Sequence, residues 1–394
     1  MRVGRTVPPA AAPLRWTDLW HGLTATLAPQ RTIARFEREI VNEFAVERVF
    51  LVNSGTAALR VTLEALKTLS TRRDVVVPAY TCFSVPGAVL AAGCRPVLCD
   101  IDPSTFDFDH ALLEPLLTDD TLCVVAHHLF GVPSAIERIR SMCRARGIFV
   151  VEDAAQAMGV ESDGRKLGTI GDVGIFSLGR GKNITCGSGG VIVTRSRDVA
   201  AALARRYAEI DNPSLMEQVK DFATLAFMVL FIRPWLYWIP ASMPFLGLGR
   251  TIFPKRVPVR RLSAMKAGLL RGWRSVLARA NGQRADAARY FSRRVSSHVG
   301  RDASHPYLRF PVLAPGTADR DALFAQSARR GLGVSVAYPS AIDEIAEVRR
   351  VCNGDRFPRA RQVADRLLTL PTHHWLSERD KDAIAELCRD LPAA

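Results

Sequence analysis

Residues 173–194 read VGIFSLGRGKNITCGSGGVIVT. Two β-rich runs, VGIFSL and GGVIVT, flank a glycine-rich turn, and this pattern predicts a pair of strands with a reactive loop between them. Lys182 lies in that loop, five residues after Ser177. A lysine held in a tight, partly desolvated loop is a candidate Schiff-base former. A solvated loop lysine is the plainer reading of the same residue.

Working outward, residues 49–200 alternate short β-rich runs with helical patterns, as βαβ units do, and each run ends in polar residues or glycine. Val49–Val52 leads into Asn53-Ser54-Gly55-Thr56, Val75–Val77 into Pro78-Ala79-Tyr80-Thr81, Leu122–Ala126 into His127-His128, and Ile148–Val151 into Glu152-Asp153. In an open parallel sheet the ligand crevice lies outside the carboxyl ends of the strands, where these clusters fall. Ser54-Gly55-Thr56 follows a strand and opens a helix, so it either caps that helix or holds a phosphate at the helix's positive end. Asp153 follows a strand too apolar to be exposed; it either caps a helix or meets a cationic partner. Adjacent histidines after a strand point in opposite directions, so His127 and His128 read as structural rather than as metal ligands, and no metal is expected. Cys186 reads as a buried thiol near Lys182.

Beyond Asp211 the pattern changes. Phe222–Leu248 carries Arg233 as its only charge and is followed by Arg250, Lys255, Arg256, Arg260 and Arg261. Phe222–Ile232 is about 16 Å long as a helix, too short for a hydrocarbon core of about 30 Å. Arg233-Pro234, Pro240 and Pro244 interrupt any longer span. With Trp235, Tyr237 and Trp238 at headgroup level, the stretch is expected to dock on a membrane's cytoplasmic face, burial in a dimer interface being the alternative. Ser263–Ser297 reads as long helix, and RFPVLAP, GLGVSVAYPS and LLTLPTH as strands or extended segments of a smaller C-terminal α+β unit.

The chain has 394 residues, 53 Lys+Arg against 39 Asp+Glu, and 48% hydrophobic residues. That is enough for a sizeable core and excludes a disordered chain or a repeat array. Eight cysteines without a CxxC pair suit a reduced compartment. Met1–Trp20 lacks the apolar core of a secretory signal, so a cytoplasmic location is expected. A net charge of +14 suits an acidic substrate or an anionic membrane; no DNA-binding motif accompanies it, and nucleic acid is not expected as a partner.

Taken together, a phosphate cradle, a buried acid and a loop lysine on one face of an α/β sheet are the parts that pyridoxal 5'-phosphate (PLP) requires. With NSGTAAL, VVVPAYTCFSVPGAVLAAGCRPVLCDIDPSTFDFD, HHLFGVPSAIERI, VVEDAAQAMGVESDGRKLGTIGDVGIFSLGRGKN, GGVIVT and LLTLPTH in this order, the chain resembles the DegT/StrS-type PLP-dependent nucleotide-sugar aminotransferases. The resemblance implies PLP-transferase fold type I: a large domain with a mainly parallel seven-stranded sheet between helices, and a smaller C-terminal α+β domain. Residues 1–30 would form an N-terminal arm, 31–300 the large domain with an apolar insertion at 222–262, and 301–394 the small domain. It implies Lys182 as the Schiff-base lysine and Asp153 on the pyridinium nitrogen. Gln156 would lie against the ring or its phenolic oxygen, with Ser177, Gly55, Thr56 and Ala57 around the phosphate.

The sequence departs from the family at three places. Cys82 stands where relatives put an aromatic ring over the cofactor, Gly187-Ser188-Gly189-Gly190 replaces Gly-Glu-Gly-Gly, and the apolar stretch replaces a loop that reaches into the neighbouring subunit. The implied activity is transfer of an amino group from an amino acid, glutamate as in the family, to a nucleotide-linked keto-sugar by a homodimer; docking on a membrane would instead suit a lipid-linked sugar. Cyclitol amination or sugar dehydration are alternatives, although dehydrating relatives tend to carry histidine in place of the lysine. A non-catalytic membrane-associated regulator of the same fold is a third reading.

Overall fold

The computed structural model describes residues 3–243, 246–247, 249, 251–300, 303–352, 356–389 and 391–392. Pro244, Leu248 and Arg250 of the apolar and basic tract lie outside them.

The central sheet contains β1 (Arg48–Val52), β2 (Asp74–Pro78), β3 (Arg95–Cys99), β4 (Thr121–His127) and β5 (Phe149–Asp153). After a small hairpin of β6 (Glu161–Ser162) and β7 (Arg165–Lys166), β8 (Val173–Ser177) and β9 (Gly190–Thr194) complete it. The seven strands run in the order β1-β9-β8-β5-β4-β2-β3. β2, β3, β4, β5 and β8 are mutually parallel, and β9 runs antiparallel to both neighbours. Ser177 pairs with Gly190 across β8 and β9, which confirms the two strands read from residues 173–194 and leaves the lysine loop between them.

Side-chain alternation divides the apolar residues between the two faces. Val75, Val77 and Ile192 enter one core with α3 (Gly55–Leu66) and α4 (Ser84–Ala91), while Val76, Val191 and Val193 enter the other. This second core is covered by α2 (Pro29–Phe44), with α1 (Trp16–Ala25) preceding it. It also receives α6 (Ile136–Arg144), which follows the short α5 (His110–Leu113).

α7 (Arg197–Ala208) closes the βαβ region, and the apolar stretch then forms α8 (Leu215–Phe231) and α9 (Pro234–Ala241). Ser214 and Glu217 cap α8 reciprocally, and Arg233-Pro234 separates the two helices. Among the described residues no helix is long and apolar enough to cross a membrane. Arg260 pairs with Asp211 (3.5 Å), and Arg261 donates to the carbonyls of Tyr207 and Ala208, so both basic residues are turned toward the protein. Lys255 and Arg256 remain exposed.

The long helix expected over Ser263–Ser297 is broken into α10 (Ala264–Leu269) and α11 (Trp273–Ser292) by Gly272, whose φ of 73° opens the second helix. Beyond them, Phe310–Leu313 and Leu367–Leu370 pair antiparallel in a separate two-stranded sheet. The middle segment expected as extended contributes only a bridge, Ser335 to Thr369. The core of this C-terminal unit includes Ala287, Ala288 and Phe291 from the end of α11.

The N-terminal arm straps the unit to the rest. Arg5 pairs with Asp380 (2.6 Å), Thr6 N–H donates to Pro234 O (2.8 Å) and Val7 N–H to Gly331 O (2.9 Å). Ala10 lies against Gly181, next to Lys182; a Cβ on Gly181 would sit 2.8 Å from the Ala10 Cβ, and its φ of 68° independently favours glycine.

Candidate active site

The carboxyl ends of β4, β5 and β8 and the start of α3 enclose a cavity of about 180 Å³. Ser54, Gly55 and Thr56, then Cys82, Asp153, Gln156, Ser177 and Lys182, all line it. Gly55 is held so close to Ser177 that a Cβ would lie 2.9 Å from the Ser177 Cβ. Ser54 Oγ accepts from Ala57 N–H (3.0 Å), which caps α3 and takes the Ala57 amide out of the cavity lining. The N–H groups of Gly55 and Thr56 take no partner among the described residues, and both residues line the cavity. The cap therefore uses one amide and leaves two at the positive helix end beside the Ser177 hydroxyl, an arrangement that suits an anion.

Asp153 ends β5, and its Oδ1 accepts from Ala155 N–H at 3.1 Å. It has no cationic side chain within ion-pair distance among the described residues, so its charge is available to a cation in the cavity. Lys182 stands across from it, half-buried; burial lowers its ammonium below the ordinary lysine value, against the pull of Cys82 and Asp153. Gln156 is oriented at both ends of its amide, with Oε1 accepting from Phe130 N–H (3.1 Å) and Nε2 donating to the Tyr338 hydroxyl (2.9 Å). The Cys82 thiol accepts from the Ser84 hydroxyl at 3.0 Å, whereas Tyr80 and Phe83 are buried and do not line the cavity.

The neighbouring acid Glu152 points the other way. Its buried carboxylate accepts from Gly168, Ile170 and Gly171 N–H groups (2.8, 2.5 and 2.6 Å) and meets His128 Nε2 at 3.0 Å. Burial disfavours its charge, but the bonds from His128 and these amides outweigh that and hold it below the usual carboxylate range. His127 Nδ1 meets Thr81 Oγ1 (3.1 Å) and its Nε2 donates to Phe106 O (2.8 Å). The two histidines thus have separate structural partners. Among the described residues no group of three or more His, Cys, Asp or Glu could hold a metal ion.

The sequence reading missed Tyr338, Arg309 and Arg284. Tyr338 and Arg309, from the C-terminal unit, line a cavity that Lys182 also lines, and Arg284 on α11 donates to the Lys182 carbonyl. None has a local signal, since each is one polar residue in a stretch whose pairing depends on docking of the C-terminal unit.

The site residues fit PLP, whose phosphate needs the free amides and hydroxyls at Gly55, Thr56 and Ser177, and whose ring nitrogen needs an uncommitted carboxylate. Fold and site define the class: a PLP-dependent enzyme of the aminotransferase fold. The chain belongs to the DegT/DnrJ/EryC1/StrS aminotransferase family, which it matches over residues 24–223 and 259–389.

It is 36% identical over 173 residues to GDP-perosamine synthase of Caulobacter vibrioides, covering 44% of this chain and 46% of that protein. The chain thus spans just under half the length of that relative. Over 366 residues it is 28% identical to the dTDP-4-dehydro-2,3,6-trideoxy-D-glucose 4-aminotransferase of Saccharopolyspora spinosa, covering 89% of this chain and 86% of that one. Among solved structures, Helicobacter pylori PseC, an aminotransferase involved in pseudoaminic acid biosynthesis, shares the fold with a TM-score of 0.79 at 17% identity, covering 98% of both chains.

Proposed function

We propose that this chain transfers an amino group from an amino acid, with glutamate as donor, to the keto group of a carrier-linked sugar in surface-polysaccharide, glycolipid or amino-sugar biosynthesis. The observation that carries this reading is the convergence of Lys182, Asp153 and the Gly55–Ser177 cradle on one cavity, in a chain of an aminotransferase family with a relative that is a 4-aminotransferase of a dTDP-4-dehydro-sugar.

Ser177, Thr56 and the amides of Gly55 and Thr56 would hold the phosphate of PLP, and Asp153 would keep a proton on its ring nitrogen. When bound, PLP supplies an aldehyde that exchanges amines and a ring that accepts electron density from the donor carbon. Lys182 Nζ would hold the aldehyde until a donor amine takes its place, and the freed amine would then take the proton from the donor's α-carbon and give it back to the cofactor carbon that carries the amino group. Its lowered affinity for protons, caused by burial, suits the base role. Gln156, clamped between Phe130 and Tyr338, orients the ring. The test is an absorbance titration of the purified holoenzyme with glutamate. The cofactor band is expected to bleach with glutamate and to return with an acceptor keto-sugar, and Lys182→Ala is expected to abolish both changes. No response to any amino acid in the wild type would refute the reading.

Two further parts belong to the proposal. The enzyme acts as a homodimer, and it meets the cytoplasmic face of a membrane peripherally through residues 222–248. Exposed Phe227, Leu230, Trp235 and Leu246, followed by Lys255 and Arg256, support the membrane contact. Co-sedimentation with anionic liposomes tests it against a variant with 222–248 replaced by a polar loop. Equal partitioning of the two folded proteins overturns membrane contact, and conversion of a dimer to a monomer by the replacement assigns the face to a second copy.

A further inference from the structure

Residues 224–258 lie between the two segments that match the family. Within them α8 presents two apolar stripes. Leu225 and Val229, with Phe222 and Ala226 beside them, pack into the second core. Thr224, Phe227, Met228 and Phe231, which recur at the same helical spacing two positions further on, instead line a second cavity of about 460 Å³. Pro240 and Leu246 continue that wall. The cavity is joined to the catalytic one, since Lys182, Cys82 and Gln156 line both.

The charged lining of this cavity is one-sided. Arg180 and Arg309 supply two cationic side chains besides Lys182, whose amine is committed to the cofactor, and among the described residues no Asp, Glu or Asn side chain lines it. Arg309 has no ion-pair partner among the described residues; Nη1 reaches only Ser335 Oγ, at 3.5 Å. A nucleotide carrier needs acceptors and donors for its base edge and ribose hydroxyls. Gln156, the one side-chain amide present, is already bonded at both ends, to Phe130 and Tyr338, and the hydroxyls of Thr185, Thr224 and Thr251 each donate to a backbone carbonyl, of Leu178, Lys220 and Ala337. The cations match a phosphate or diphosphate, and the aliphatic and aromatic wall matches a hydrocarbon. Phe227 and Leu246, 44% and 39% exposed, carry that wall out to the surface, so a chain longer than the cavity has an exit.

We infer that the acceptor is a keto-sugar carried on an isoprenoid-type lipid phosphate, with the phosphate at Arg309 and the lipid chain along the Phe227–Met228–Phe231 stripe of α8. This rests on the aminotransferase reading and narrows it to a substrate class.

The test measures binding of farnesyl diphosphate, UDP, inorganic diphosphate and farnesol to the holoenzyme by calorimetry, below the concentration at which the lipids form micelles. Farnesyl diphosphate is expected to bind at least about tenfold more tightly than each of the other three. Phe231→Ser and Phe227→Ser should each weaken it several-fold and leave inorganic diphosphate unchanged, and Arg309→Gln should weaken both diphosphates. Phe227 is partly exposed, so its variant keeps the test valid if Phe231→Ser fails to fold. Farnesyl diphosphate that binds no tighter than UDP, or whose affinity survives both Phe substitutions, overturns the inference. Bleaching of the cofactor band by glutamate is scored in parallel. It does not involve the acceptor carrier, so its loss in the wild type counts against the aminotransferase reading and not against the lipid.

Discussion

The guanidinium of Arg284 donates through Nη2 to the backbone carbonyls of both Lys182 (3.3 Å) and Asn183 (3.2 Å), so α11 holds the lysine loop in place. Nη1 donates to Asn281 Oδ1 (2.9 Å), and Asn281 Nδ2 ties the network to Met158 O (3.1 Å). The side chain is buried without a carboxylate partner among the described residues, and burial pushes its pKa down to about 10, which leaves it cationic at neutral pH.

Arg284→Met removes the donor from three acceptors in the interior, at about 1–3 kcal/mol for each left unsatisfied. The variant is expected to melt several degrees lower and to lose kcat more than it raises KM for the donor, because the loop is displaced while the donor's other contacts remain. Arg284→Lys, which keeps the charge but not the fork, should recover only part of the loss. An unchanged melting temperature and kcat for Arg284→Met would show that the loop holds its own position.

Asp153→Asn should retain the cofactor and turn over slowly. Removing the anionic partner of a buried cation costs about 3–5 kcal/mol, which corresponds to about two to four decades in rate if it falls on the proton-transfer step. The measurement is single-turnover kinetics with glutamate, and near-wild-type rates would remove Asp153 from the mechanism.

Cys82→Phe tests the unusual residue beside the lysine. The thiol is half-buried and lines both cavities. An aromatic ring there is expected to tighten PLP by up to about 1 kcal/mol, read as slower cofactor loss during dialysis. Faster loss would show that the ring intrudes on the cofactor's space.

Stability should fall in mild acid because of His373. Trp375 N–H donates to its Nδ1 (3.2 Å), so the proton is on Nε2, which donates to Pro8 O (2.7 Å). Burial lowers its pKa from 6.5 to about 3, against the opposing bond to Pro8. Between these values the unfolded chain takes up a proton that the folded chain refuses, so stability declines as pH falls through 6.5. The slope is about 1.4 kcal/mol per pH unit for this residue alone. Urea unfolding at pH 7, 6 and 5 should show the decline, and His373→Gln should flatten it; equal slopes would exclude His373 as the cause.

Six of the seven strands, the lysine loop and the convergence of Gly55, Thr56 and Asp153 were legible because each depends on local apolar runs and on where a strand ends; β3 was not, and the count of seven and the place of Ser177 came with the family resemblance. In a parallel sheet the strand ends share one edge whatever the distant packing does. Ala57 shows the limit of that reading: a contiguous motif names three amides, and only the cap geometry shows that Ser54 has claimed the third.

The break at Gly272 escaped the periodicity of Ser263–Ser297 because helical spacing continues on both sides of it. The expectation that the apolar stretch after Phe222 docks on a membrane rests on its length, its prolines and its aromatic and basic residues, none of which divides the helix into faces. Composition records how apolar a helix is but not how its stripes are divided. Docking of α8 against the second core decided that Leu225 and Val229 are internal and that Phe227, Met228 and Phe231 face the space before Lys182. Arg284 meets the lysine loop, and Arg309 the cavity in front of it, only in the folded chain, since α11 and the C-terminal unit bring them there from far away in sequence. The local pattern thus determined the sheet and the catalytic edge, through forces that act between near neighbours. Tertiary packing alone decided what braces the lysine and what fills the space in front of it, because those contacts exist only after distant segments have closed on one another.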